Sequence, residues 1–176
     1  MRRRSVVLAI AILAAGLLVA SLAGASGGKK NLKADALIGY QENPDISTVA
    51  TGSFQVTIDD EAETLTYELS YSGLEGTVQQ AHIHFGKRAI NGGVAAFLCG
   101  PQPAAGDKPE CPQSGTVTGV IDAADIIGPA GQGLEAGNFA ELAQAMRAGH
   151  SYANVHSSKW PGGEIRAQIN DQDANN

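Results

Sequence analysis

The chain is 176 residues long, with 43% hydrophobic, 17% charged and 5% aromatic residues, 22 glycines and a net charge of −6. That length suits one domain with a proper core; the composition is too apolar for a disordered chain and too poor in cysteine for a disulfide scaffold or a cysteine-built zinc module. The acidic balance argues against nucleic acid, because binding phosphates needs concentrated Lys and Arg.

Residues 1–25 have the three tiers of an export signal: Arg2, Arg3 and Arg4, an apolar run from Val6 to Ala20, and the small–x–small end Ala23-Gly24-Ala25. Cleavage after Ala25 leaves 151 residues (176 − 25) with 9 basic against 18 acidic side chains, a net charge of −9. An uncleaved N-terminal anchor is the alternative, and in either case the domain is exported to a secreted, extracellular or periplasmic location. No second apolar stretch is long enough to span a membrane.

After a linker at 26–33, a single domain is expected over 34–169, followed by a polar tail at 170–176. Period-2 alternation predicts strands at 34–41, 53–58, 64–71, 77–85, 94–98, 115–121, 151–156 and 163–169, with Gly, Pro, Asn and Asp between them. Asp59 to Ala62 is a connection of hairpin length. Phe139, Leu142, Ala143 and Met146 fall at helical spacing before the stop signal Gly149, and a shorter helical turn is expected at 123–127. This pattern predicts an all-β, antiparallel Greek-key sandwich or flattened barrel with one late helix. Cys99 and Cys111 flank a Pro/Gly-rich loop and, in an oxidising compartment, should pair; closing this 13-residue segment contributes roughly 3 kcal/mol.

Chemistry concentrates in three strands. Alternation places His82 and His84 on one face of their strand with Ile83 and Phe85 opposite. Tyr152, Asn154 and His156 share a face opposite Ala153 and Val155, and Glu164, Arg166 and Gln168 lie opposite Ile165, Ala167 and Ile169. If the three strands are neighbours, three of the four histidines converge. His82, His84 and His156 are then candidate ligands of one metal ion, copper preferred and zinc the alternative, with uptake weakening below about pH 6.5 as imidazoles protonate. Asn154, Glu164, Arg166 and Glu42 are candidate supporting groups: Glu164 or Asn154 to fix imidazole tautomers, Arg166 to hold Glu164 or attract an anion, Glu42 as a partner of Arg166. Trp160 is expected to cover either the histidines or core, and His150 to lie outside the site.

The ordered motifs Leu37-Ile38-Gly39-Tyr40-Gln41-Glu42-Asn43-Pro44, Leu65-Thr66-Tyr67-Glu68-Leu69, Ala81-His82-Ile83-His84-Phe85-Gly86, Asn154-Val155-His156 and Gly162-Gly163-Glu164-Ile165-Arg166 make the chain resemble the chordin-type domains of the CHRD family. The first follows that family's L-x-G-x-x-E-x-P pattern, and Ala167 departs from it where Gly is frequent. The resemblance covers about residues 34–169 and implies an all-β extracellular domain. In animal relatives growth-factor binding is attributed to cysteine-rich modules that this chain lacks, so it carries over no such partner. A more distant likeness to Cu,Zn superoxide dismutase rests on the His-x-His strand and bears only on the choice of metal. Three functional readings follow: a copper- or zinc-binding extracellular protein, a metal-free structural or protein-interaction module knit by a His/Glu/Arg network, and a superoxide dismutase-like copper enzyme. A hydrolase has no support, since Ser157 and Ser158 sit outside any nucleophile-elbow motif.

Overall fold

A computed structural model describes residues 28–101 and 108–170. The expected export signal at 1–25 and all but the first residue of the polar tail lie outside them. Eight strands follow in chain order: β1 (Lys30–Ile38), β2 (Thr51–Asp59), β3 (Thr64–Ser72), β4 (Val78–Phe85), β5 (Gly93–Cys99), β6 (Gly115–Ile121), β7 (Ser151–Ser157) and β8 (Ile165–Gln168). The helix α1 spans Phe139–Arg147 between β6 and β7. Every strand pairing is antiparallel, in the spatial order β5-β4-β7-β8-β1-β2-β3-β6. The edge strands β5 and β6 approach each other, so the sheet curls into a nearly closed, flattened barrel.

Strand alternation makes the core. Phe54, Val56 and Ile58 on β2 and Leu65, Tyr67, Leu69 and Tyr71 on β3 point inward, while Gln55, Thr66 and Glu68 point out. The buried cluster draws on all eight strands, and α1 adds Phe139, Leu142, Ala143 and Met146 from one face. Asn138 caps that helix by accepting from the Glu141 amide, and Gly149 follows its end at φ 72°.

Three boundaries differ from the sequence reading. β1 starts at Lys30, inside the expected linker, because Leu32 and Ala34 find an alternating register on Val56 and Phe54. It ends at Ile38, and residues 39–41 turn as a 3-10 helix. A Cβ on Gly39 would stand 2.2 Å from the Ile46 carbonyl oxygen, so only glycine permits this close fold-back. The last strand is confined to Ile165–Gln168, since Gly163 (φ 128°) turns the chain just before it. Cys99 and Cys111 are disulfide-bonded, with Cα atoms 5.1 Å apart. The residues around Cys111 stitch the seam between the edges: Tyr71 donates to the Pro112 carbonyl, Gln113 bonds Val78 and Gly76, and Lys108 pairs with Asp125 at 2.7 Å.

Candidate metal centre

β4, β7 and β8 are consecutive neighbours, which turns shared faces into cross-strand rows. His82 faces Asn154, which faces Arg166; His84 faces Tyr152, which faces Gln168; His156 faces Gln80. All of these except Gln80 are buried, the histidines only 3%, 8% and 5% exposed for His82, His84 and His156. An outward polar face of a barrel is ordinarily wet. Here three connections cover it. Arg166 donates through Nε to the Gln41 carbonyl and through Nη1 to the Ile90 carbonyl and Asn91 Oδ1. Asn154 donates to Glu42 Oε1 at 2.7 Å. His84 and His156 reach the carbonyls of Gly92 and Pro161. The approach is tight enough that a Cβ on Gly163 would stand within 2.8 Å of both Asn154 and Glu42.

These bonds fix the imidazole protons. His84 Nδ1–H donates to Gly92 O at 2.9 Å, and His156 Nδ1–H to Pro161 O at 3.0 Å, so each keeps its lone pair on Nε2. His156 Nε2 then accepts from His82 Nδ1 at 3.1 Å. What remains is two buried acceptors without a partner, His82 Nε2 and His84 Nε2. Buried polar atoms are nearly always satisfied, so two such nitrogens in one cluster call for an explanation.

One ligand nitrogen from each histidine lies within 4.8 Å of the others. Three bonds of about 2 Å spread around one ion put nitrogens about 3.5 Å apart, so closure requires a shift of rather more than an ångström. The 3.1 Å between His82 Nδ1 and His156 Nε2 is already near that spacing. Burial pushes the His82 imidazolium down to about 2, helped by the neighbouring His156 and His84; it pushes His84 down to about 4 and also lowers His156. All three are therefore neutral near pH 7, the form that binds metal.

The supporting residues divide. Asn154 lies beside the cluster but serves Glu42 and the Ile165 carbonyl rather than an imidazole. Glu42 is buried and not a solvated turn residue; burial raises its carboxyl to about 7 against the lowering effects of Arg166 and Asn154. Arg166 does not hold Glu164: beyond its three carbonyl-type acceptors it stacks 4.6 Å from the Tyr152 ring. Glu164 turns away, accepting from Thr48 Oγ1, the Glu75 amide and Ser157 Oγ. It precedes β8 in the Gly163 turn, where strand alternation no longer governs direction. The tautomer-fixing role expected of it falls to backbone carbonyls. Trp160 covers neither histidines nor core; its indole donates to Glu75 and lies under Lys159.

Two aromatic neighbours complete the centre. Tyr152 stacks on His84 (centroids 4.8 Å, 4° between planes), and Phe97 of β5 meets His82 edge-on at 4.3 Å. Tyr152 was readable from its shared face with Asn154 and His156; Phe97 required knowing that β5 pairs with β4.

The CHRD domain family matches residues 34–169, most of the chain, and the protein belongs to that family. No curated protein and no solved structure matches it.

Proposed function

We propose that this CHRD-domain protein is exported and binds one metal ion, copper or zinc, through His82, His84 and His156. The observation that carries the reading is the pair of partnerless buried nitrogens, His82 Nε2 and His84 Nε2, in a cluster of three neutral imidazoles. A bound ion would supply the missing partner of His84 Nε2 and, taking His82 through Nδ1, would replace the His82–His156 hydrogen bond by two coordinate bonds. The basic-apolar-small leader, the disulfide and the extracellular character of the family support export. No helix among the described residues is long and apolar enough to cross a membrane.

The mature protein, purified without a histidine tag, should take up one equivalent of metal, and replacing all three histidines by Ala should abolish uptake. Uptake surviving that replacement would place the site elsewhere. Because burial holds the imidazoles neutral, proton competition should begin well below the pH 6.5 of a free histidine. A second reading, a metal-free structural module, draws on the direct His82–His156 bond and the Asn154–Glu42 lattice. Substoichiometric uptake from excess copper and excess zinc would favour it. The superoxide dismutase-like reading needs an open metal position, which the burial of the cluster does not support.

A further inference from the structure

We infer that the ion this centre is built for is monovalent copper, Cu(I), held in a closed three-nitrogen site; the inference rests on the metal-binding reading above. Charge is the first argument. Among the described residues the cluster contains three imidazoles and no carboxylate or thiolate. The ligands are neutral, so a monovalent ion leaves the site at +1 and a divalent ion at +2. The cost of stripping water from an ion grows with the square of its charge, making the divalent ion about four times more expensive to bury. Zinc sites meet that cost with anionic thiolates, or with a water at an open fourth position.

Solvent access is the second argument. His82 Nε2 and His84 Nε2 have essentially no exposed surface. The walls are of low polarity, with Phe97 against His82 and Tyr152 against His84. Three nitrogens without a water suit an ion with a filled d shell and low coordination number, whereas Cu(II) seeks a tetragonal set of four or more ligands.

The local field acts the same way. A fixed cation, the Arg166 guanidinium, lies one aromatic ring from His84 through Tyr152. It penalises each added unit of positive charge. Glu42, bonded to Asn154, offsets part of that field without reaching the imidazoles.

Two titrations on the metal-free mature protein test this: Cu(I) under anaerobic conditions against a chromophoric Cu(I) chelator, and Zn(II) against a chromophoric zinc chelator. One equivalent of Cu(I) should bind at least about a hundredfold more tightly than Zn(II), given the charge argument. Exposing the Cu(I)-loaded protein to carbon monoxide should give no copper carbonyl band in its infrared spectrum, since no exogenous ligand reaches the ion. Zinc binding as tight as or tighter than Cu(I) overturns the Cu(I) assignment and leaves the metal reading standing. A copper carbonyl band overturns the closed site. Failure to bind either ion overturns the metal reading itself. The comparison uses one unaltered protein, so no outcome depends on whether a variant folds.

Discussion

Two regions of the sheet's outward side carry the same alternating pattern and meet opposite fates. On β2, β3 and β6, Gln55, Glu68 and Thr118 form a cross-strand row that is exposed to water. On β4, β7 and β8, His82, Asn154 and Arg166 form the equivalent row, and it is buried. Strand periodicity makes both rows; connections decide which is covered. The hairpin between β2 and β3 is a tight polar turn that covers nothing. The connections at 39–50, 86–92 and 158–163 are long enough to fold back over the second region. They are pinned there by side chains of the region itself, through Arg166, Asn154, His84 and His156. A covered polar row must be satisfied internally, which is why its residues are multivalent donors and its surplus acceptors stand out.

The comparison breaks first at Arg166. Replacing it with Ala should cost about 3–5 kcal/mol, because it leaves the Gln41 and Ile90 carbonyls unpaired and deprives buried Glu42 of a compensating charge. A urea-denaturation midpoint measures this. A loss under about 1 kcal/mol would mean that the connections are held by something other than the face beneath them.

Acid is the next lever, and its sign follows from two opposing groups. The buried histidines have native values depressed to about 2 for His82 and about 4 for His84, with His156 also lowered, against about 6.5 unfolded. They ionise only on unfolding, so stability is full above pH 6.5 and falls as pH drops below it. Glu42 is raised to about 7 in the native state, so the native fold gains stability from it as pH falls from about 7 to about 4.5. Three groups oppose one. The metal-free protein should lose on the order of 2 kcal/mol per pH unit near pH 5, read from urea midpoints across pH 5–8. Glu42→Gln should steepen the acid loss by removing the opposing group. A flat profile would show that the histidines are not desolvated.

This division explains what was legible in the sequence. The strands, the helix over Phe139–Met146 and the shared faces of His82, His84 and His156 follow from residue periods, which report local geometry. The adjacency of β4, β7 and β8 was a condition rather than a deduction, because alternation says nothing about which strands pair. The covering of the face was not legible, since the carbonyls of Gly92 and Pro161 that orient the imidazoles belong to every residue type alike. Glu164 shows the limit from the other side. Counting by twos across the Gly163 turn assigned it to the histidine face, and the turn re-aimed it to Thr48, Glu75 and Ser157.

The smallest expected effect sharpens the contrast most, because it removes side chains of similar polarity from the uncovered row. Gln55 and Glu68 lie opposite one another on β2 and β3, exposed, with no connection above them and no side-chain hydrogen bond joining the pair. Water replaces whatever either loses on truncation. Gln55→Ala and Glu68→Ala should each change stability by no more than about 0.5 kcal/mol, and metal uptake by nothing measurable. Their effects should add in the double variant, as expected where solvent rather than a shared network satisfies both. A double variant departing from additivity by more than about 1 kcal/mol would mean that this row too is coupled, and that burial under the connections is not what separates the two regions.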